Sequence, residues 1–312
     1  VQCSRPGRDL DSKASSNQSS TMSLRTKTED LEKLEAELQG SEPKRARPDT
    51  IRRYLKAVRD LKVRKSHIVA LYGAELLRNA GTRSSLPSEE LWLCYEAVAI
   101  AACDAKALPL AYSCAQALEK NFPDSCRAGR VKGMLLEADG KFQEAEKLYK
   151  ELLGKDEANQ MVLKRRVGLA RSRGNMTQAI ELLNEYLSYY CADTDAWDEL
   201  SKMYGDIGMY KQAAFCLEEC ILGDPSNYAY QLALADVLYT LGGAENVRVA
   251  AKYYSASVEY SGGKNLKALY GLCACYGALA SMRGPKPTED EAELPRMAAQ
   301  KLVSLYKESQ PG

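Results

Sequence analysis

The side chains that most often perform acid–base or metal chemistry are scarce in this sequence. Its 312 residues include a single histidine, His67, so a histidine-rich metal site is excluded. His67 is also the one candidate for histidine acid–base catalysis. It lies beside Ile68 and Val69 in a helix-like apolar stretch, without the perturbing partners that a catalytic group needs. We interpret His67 as an ordinary helix residue.

The ten cysteines do not have the spacing of a metal or redox site. No C-x-x-C pair occurs, which argues against a zinc knuckle and a thioredoxin-type motif. Cys216 and Cys220 are one helical turn apart in an apolar pattern. Cys273 and Cys275 form a C-x-C pair in a similar pattern. Because free cysteine behaves as a small buried hydrophobe, we expect reduced core thiols and a reducing compartment.

Other signatures of catalysis are also missing from the sequence. It contains no P-loop, no dinucleotide-binding glycine motif, no nucleophile elbow and no H-E-x-x-H. Acidic pairs such as Glu89-Glu90 fall on polar helix faces, where we expect them to be solvated. The balance of 43 basic and 42 acidic residues gives no whole-chain reason to expect nucleic acid or an anionic membrane as partner. We therefore expect no enzyme activity, no cofactor and no metal.

Small residues recur along the chain at an interval of 34 residues. One column consists of alanines, at Ala111, Ala145, Ala179 and Ala213. A second consists of glycines, at Gly140, Gly174, Gly208 and Gly242. A third column consists of large side chains, at Phe142, Met176 and Tyr210. This period is typical of the tetratricopeptide repeat, in which each unit is a pair of antiparallel helices. The predicted fold is an all-α, right-handed superhelical solenoid.

The glycine and alanine columns have physical roles in such a repeat. The glycine falls where the first helix ends and a left-handed conformation is needed. The alanine lies early in the second helix, where two helices approach closely. Residues 194–227 show the pattern most fully, with Trp197 near the start of the first helix and Pro225 ending the second.

The repeats predict the organisation of the rest of the chain. Residues 49–91 read as an N-terminal helical cap, and residues 92–264 as five repeats beginning at about 92, 126, 160, 194 and 228. In the fifth, the alanine arrives late, at Ala250, so we expect three extra residues to lengthen the turn between its helices. Residues 265–312 read as a degenerate sixth repeat, an acidic loop over 285–295 and a capping helix.

The N-terminal segment, residues 1–48, is predicted to be disordered. It is rich in Ser, Arg, Lys and Glu and has almost no aromatic residues. A stripe formed by Leu31, Leu34 and Leu38 is too short for a helix that is stable alone. The sequence begins with Val1 and without the apolar core of a secretory signal, so either a fragment or a start at Met22 fits. No segment approaches the roughly 18 apolar residues of a membrane span.

The amino-acid sequences of several segments resemble those of one tetratricopeptide family, subunit 2 of the endoplasmic reticulum membrane protein complex. The similar runs are LWLCYE at 91–96, EYL at 185–187, DAWDEL at 195–200, AAFCLEE at 213–219, YTLGG at 239–243 and ALYGL at 268–272. The resemblance covers about residues 50–305 and includes non-consensus positions. It implies a non-catalytic scaffold, peripheral on the cytosolic side of the endoplasmic reticulum, that supports insertion of tail-anchored and multipass proteins. The implied partners are the cytosolic parts of membrane subunits and a soluble subunit.

The alternative is a cochaperone that captures acidic C-termini. Such a clamp needs Lys and Asn at set positions on the first helices of three successive repeats. The equivalent positions hold Glu96 and Ile100, then Arg130 and Met134, then Lys164 and Gly168, with no asparagine. This absence favours the scaffold.

Charged residues on the first helices are the candidate partner-binding residues. Repeats two and three present a basic set: Arg127, Arg130, Lys164, Arg165 and Arg171. Repeat four presents an acidic set: Asp195, Asp198, Glu199 and Asp206. The sequence thus predicts a groove with a basic half, which docks acidic or carbonyl-rich elements of a partner, and an acidic half, which fixes the partner's direction.

Overall fold

The structure, a computed structural model, describes residues 10–282 and 289–309. Within these ranges it contains sixteen α-helices, a 3₁₀ turn and no strand, so the all-α prediction is confirmed. The helices are α1 (Leu10–Gln39), α2 (Pro48–Asp60), α3 (Ser66–Arg78), α4 (Ala80–Ser85), α5 (Ser88–Asp104), α6 (Leu108–Asn121), α7 (Cys126–Ala138), α8 (Phe142–Lys155), α9 (Gln160–Ser172), α10 (Met176–Tyr189), α11 (Thr194–Asp206), α12 (Tyr210–Gly223), α13 (Tyr228–Leu241), α14 (Ala244–Tyr260), α15 (Leu266–Ser281) and α16 (Glu289–Ser309).

The chain divides into two compact units, Val1–Val162 and Leu163–Gly312. In the first unit, α5 packs against α6 and α7 against α8, and the core extends back to α1. In the second unit, the pairs are α11 with α12 and α13 with α14, followed by α15 and α16. The boundary falls within α9, inside the segment 92–264 that the periodicity treats as one block of repeats.

The recurring small residues occupy two fixed places in the helix pairs. Gly140, Gly174 and Gly208 lie in the turns between first and second helices, with φ of 79°, 72° and 75°. Such positive φ values favour glycine, because a Cβ would be strained there. The alanines lie within the second helices and are almost completely buried, with 0–1% of their surface exposed at Ala111, Ala145, Ala179 and Ala213.

The fifth helix pair differs from the expected one in where its extra residues lie. Gly242 and Gly243 reverse the chain in two residues, because both have positive φ (71° and 83°). The following helix α14 has 17 residues, whereas α12 has 14. Ala213 is the fourth residue of α12 and Ala250 the seventh of α14. The three additional residues therefore lengthen the helix, and the expectation of a longer turn was wrong.

The N-terminal segment is not the disordered tail that its composition suggested. Residues Leu10–Gln39 form α1, and Leu31, Leu34 and Leu38 are buried in the core of the first unit. The Tyr72 hydroxyl donates a hydrogen bond of 2.6 Å to the carbonyl oxygen of Leu38. The leucine stripe is too short to stabilise an isolated helix. Packing against the core stabilises this helix, as tertiary contacts do for most helices in proteins. Residues 1–9 of the expected tail lie outside the described residues.

The end of the chain also departs from the expectation of an acidic loop over 285–295. Helix α16 begins at Glu289 and contains Pro295. The acidic segment from residue 289 onward is therefore part of a helix, and the expectation of a loop there was wrong. Ala298 and Leu302 are buried in the core of the second unit. Positions 285–288 of the expected loop lie outside the described residues.

Gly133 provides a test of packing in the first unit. A Cβ at this position of α7 would lie 2.3 Å from Cε1 of Tyr149, whose side chain is completely buried. Gly133→Ala should destabilise the protein by about 1–3 kcal/mol, because the buried ring has to move. Gly168 in α9 has no atom within 4 Å of its Cβ position. Gly168→Ala should therefore stabilise the protein by about 0.5–1 kcal/mol. Urea unfolding followed by circular dichroism checks both signs, and two equal losses would contradict the packing described.

Candidate protein-binding surface

The histidine and cysteine side chains that could perform chemistry are dispersed over the described residues. His67 is exposed on α3. In the part of the chain that the structure describes, no group of three or more His, Cys, Asp or Glu side chains could hold a metal ion. Cys216 and Cys220 are buried thiols, and burial raises their pKa values to about 11 and about 12. Neither is a reactive thiolate at neutral pH.

In the first unit, the two predicted basic residues bind one buried acid. Glu96 on α5 is 8% exposed and accepts a hydrogen bond of 2.7 Å from the Arg130 guanidinium on α7. Arg127, one turn earlier on α7, makes an ion pair with the other oxygen of Glu96. The hydrogen bond to Glu96 raises the pKa of Arg127. Glu96 and Arg130 occupy the same position in successive repeats, 34 residues apart.

In the second unit, Lys164 belongs to a cluster with Asp193 and Tyr186. Its Nζ lies 2.6 Å from Oδ2 of Asp193 and 5.1 Å from the centre of the Tyr186 ring. The Tyr186 hydroxyl also donates to Asp193. Burial alone would lower the pKa of Lys164, but the hydrogen bond to Asp193 leaves it raised. Burial would raise the pKa of Asp193, but the hydrogen bonds from Lys164 and Tyr186 leave it lowered.

The other predicted groove residues of this unit range from half-buried to exposed. Arg171 on α9 makes an ion pair with Glu199 on α11, and the two side chains are 49% and 39% exposed. Asp198 pairs with Lys202 one turn later, at 2.6 Å. Arg165 is half-buried, and Asp195 and Asp206 are exposed.

Trp197 has a structural contact in addition to its place in the repeat. Its ring packs edge-on against Phe215, with 6.0 Å between ring centroids. Its Nε1 donates a hydrogen bond of 2.8 Å to the carbonyl oxygen of Cys191. The indole therefore joins the start of α11 to the preceding turn and to α12.

Within each unit, the structure brings opposite charges together instead of separating them into halves. Sequence reasoning missed Glu96 and Asp193 as the partners of the predicted cations. The shared repeat position of Glu96 and Arg130 could have indicated the first pair, because equivalent positions of successive first helices are neighbours in a repeat stack. Asp193 lies just before α11, and its side chain accepts a hydrogen bond from the Ala196 backbone N–H, as a helix N-cap does.

Two clefts open beside the Glu96 cluster of the first unit. The larger, of about 720 Å³, is lined by Trp92, Leu118 and Phe122 among others. The smaller, of about 460 Å³, includes Val58 and Ile100 in its lining. Leu93, Glu96 and Arg127 line both clefts. The two clefts therefore adjoin each other, and both carry apolar and charged groups.

None of the helices described over 10–282 and 289–309 combines the length and the apolar character that crossing a membrane requires.

Helix pairs with a 34-residue period and charged first helices define a tetratricopeptide-type repeat protein. A solved structure of this class, the C-terminal part of a TPR repeat-containing protein from Cytophaga hutchinsonii, superposes with a TM-score of 0.54. The match has 14% sequence identity and covers 81% of this chain and 95% of that chain, so it supports the fold alone. A family model described as the EMC2 TPR-like repeat domain matches residues 117–241.

Curated relatives narrow the class to one family. ER membrane protein complex subunit 2-A of Xenopus laevis is 34% identical over 261 residues, which cover 83% of this chain and 86% of the relative. ER membrane protein complex subunit 2 of Dictyostelium discoideum is 30% identical, with 82% of each chain covered. TPR repeat protein oca3 of Schizosaccharomyces pombe is 31% identical over 194 residues. The chain belongs to the ER membrane protein complex subunit 2 family.

Proposed function

We propose that this chain is a subunit of the endoplasmic reticulum membrane protein complex and holds other subunits together without catalysing a reaction. The observation that carries the proposal is identity of 34% across 86% of a relative that is named as subunit 2 of that complex. In this role the chain lies on the cytosolic side of the membrane and is attached through its partners. It thereby supports insertion of tail-anchored and multipass proteins.

The architecture supports a scaffold role on physical grounds. Stacked helix pairs present long surfaces of exposed side chains, because each pair contacts only its neighbours. The partners we propose are the cytosolic parts of membrane-embedded subunits and a soluble subunit. Exposed charges such as Asp195, Asp206 and the Arg171–Glu199 pair are available at this surface to select and orient them.

The pairing of the first-helix cations argues against the cochaperone alternative. A carboxylate clamp needs cations that face an incoming C-terminus. Arg130 is only 15% exposed and binds Glu96, while Lys164 binds Asp193. Their charge is largely neutralised within the fold, so an acidic peptide end gains little from them.

Affinity purification from gently solubilised membranes tests the proposal. The tagged full-length protein should co-purify with membrane-embedded subunits of the complex, because family membership implies a shared assembly. Alkaline carbonate washing should release the protein from the same membranes, since attachment is through protein contacts. Mass spectrometry of the eluate and immunoblotting of the washed pellet are the measurements.

A tagged soluble tetratricopeptide protein of similar size is the control for nonspecific capture. Recovery of chaperones in place of complex subunits would replace the scaffold with the cochaperone function. Retention in the carbonate-washed pellet would refute attachment through partners.

Exchanging the charges of the Arg171–Glu199 pair provides a second test, which asks whether this surface docks a partner. Arg171→Glu alone places two carboxylates side by side and should weaken recovery of at least one subunit. The swap Arg171→Glu with Glu199→Arg restores an ion pair but inverts the local charge pattern. Because exposed pairs contribute only about 0–1 kcal/mol to stability, the swap should leave the melting temperature nearly unchanged.

The swapped protein separates docking from folding. If the surface docks a charged partner, the swap should still lose that subunit in quantitative co-purification. Full recovery with the swapped pair would show that this surface does not select partners, and that other faces of the helices perform the scaffold role.

A further inference from the structure

The smaller of the two adjoining clefts in the first unit has a basic rim around apolar residues. Six of its lining residues are Lys or Arg, and two are acidic. Both acids already bind cations of the lining: Glu96 binds Arg127 and Arg130, and Asp104 binds Arg64. Arg59 and Lys62 also line the cleft, and Arg59 lies close enough to Glu90 for its charge to contribute to the lowered pKa of that carboxyl. Lys65 pairs with Glu35 outside the lining, at 3.2 Å, so the remaining positive charge comes from Arg59, Lys62 and the two arginines that share Glu96.

The larger cleft has a different character. Trp92 and Phe122 meet edge to face in its lining, with ring centroids 5.3 Å apart, and Phe122 is 41% exposed. Leu118 and Val131 extend this apolar lining. Trp92 is half-buried, and a partly exposed aromatic pair beside an apolar cleft is typical of surfaces that receive a large side chain of a partner.

We propose that the two clefts form one docking groove for a segment of a partner protein that is acidic at one end and has a large apolar side chain at the other. The carboxylates of the segment lie near Arg59 and Lys62, and the apolar side chain packs against the Trp92–Phe122 ring pair. Arg127, which lines both clefts and is 61% exposed, contacts the segment where the two parts join. The opposite character of the two ends fixes the direction of the segment.

The shape of the site favours a peptide over an anionic membrane. A lipid surface is flat and would contact the basic rim, but it could not reach Ile100 or Leu93 on the floor. A peptide side chain can enter, and burial of the apolar floor adds to the electrostatic attraction. The inference adds a site to the assembly role proposed above, on which it depends only for the origin of the segment.

Fluorescence anisotropy with the purified full-length chain tests the groove. The probes are a short fluorescein-labelled peptide with a run of glutamates at one end and phenylalanine at the other, and the same peptide in reverse order. We expect one of them to bind, more weakly as salt increases. Arg59→Glu with Lys62→Glu should raise its Kd at least tenfold. Replacing the glutamates of the probe by glutamine should have the same effect.

The matched control reverses two lysines outside both clefts. Lys27→Glu with Lys147→Glu changes the net charge equally, on α1 and α8 of the same unit, and should leave the Kd within a factor of about two, because neither exposed lysine lines a cleft. Equal losses in both double variants would reduce the effect to net charge and overturn the proposal. Absence of binding by either probe would also overturn it.

Intrinsic fluorescence examines the aromatic end separately. The chain has two tryptophans, so Trp197→Phe leaves Trp92 as the one indole. Unlabelled probe should shift the Trp92 emission, and an unchanged emission at saturating probe would refute docking at the larger cleft. Flotation with phosphatidylserine vesicles tests the alternative of a lipid partner. If the chain binds neither peptide but floats with the vesicles, and the Arg59/Lys62 double reversal abolishes flotation, the basic rim binds lipid and the peptide proposal is contradicted. The Arg59/Lys62 double variant should also be tested for co-purification of complex subunits. This measurement shows whether the proposed assembly role holds even if the groove does not bind peptide.

Discussion

Ala213→Arg is expected to destabilise the second unit by about 3–5 kcal/mol, the cost of burying a charge without a partner. Ala213 is the fourth residue of α12 and is 1% exposed. Its neighbour Ala214 and Leu217 belong to a buried cluster with Leu234 of α13. A guanidinium at position 213 would also overpack the approach of two helices. The loss should be measured as a lower midpoint of urea unfolding.

Two further variants make this result specific to the repeat position. Lys211→Arg, two residues earlier in α12 but exposed, should change the midpoint very little. Ala213→Ser keeps the small volume and should lose much less than the arginine variant. An arginine at 213 that leaves the unfolding midpoint unchanged would contradict the repeat register derived from the 34-residue period.

The repeat architecture could be predicted because single positions determine it. A glycine such as Gly174 is required by its positive φ, and an alanine such as Ala179 by complete burial between helices. These local requirements recur every 34 residues, so they are readable without knowledge of tertiary contacts. The extra residues of the fifth pair were harder to place, because Gly242-Gly243 is compatible with a long loop and with the two-residue reversal that occurs.

Features that depend on long-range packing were not predictable in the same way. Helix α1 is stabilised where Leu38 packs into a core that contains Ile51 and Tyr72, and composition carries no information on that contact. The Glu96–Arg130 pair depends on side chains that reach between successive first helices. Reading one helix at a time therefore gave a basic surface, where the folded chain has ion pairs.

Asp193→Ala is the second variant with a large expected effect, because this one carboxylate makes three kinds of contact. It caps α11 by accepting from the Ala196 N–H, it binds Lys164 at 2.6 Å, and it accepts a hydrogen bond from the Tyr186 hydroxyl. Loss of an N-cap costs about 0.5–2 kcal/mol, and loss of a charged hydrogen bond about 1.5–3 kcal/mol. Since these terms are not additive, we expect a total of about 2–4 kcal/mol at neutral pH.

The pH dependence of this loss follows from the direction of the pKa shifts. The pKa of Asp193 is lowered from its usual value of 3.8, so its contribution is present above that value and disappears as the pH falls through the folded-state pKa. The pKa of Lys164 is raised from 10.5, so its contribution is present below that value and is lost on further alkalinisation. The stability difference between the unmodified chain and Asp193→Ala should therefore be constant from roughly pH 5 to 9 and shrink below pH 4.

Asp193→Asn separates the cap from the charge. Asparagine is as good an N-cap as aspartate, so this variant should keep the cap and lose the ion pair. Its destabilisation should be smaller than that of Asp193→Ala at pH 7. Lys164→Met, which removes the cation alone, should lose a similar amount. A difference between the unmodified chain and Asp193→Ala that persists undiminished in urea titrations at pH 3 would show that the charge of Asp193 does not stabilise the fold, and that capping accounts for the whole effect.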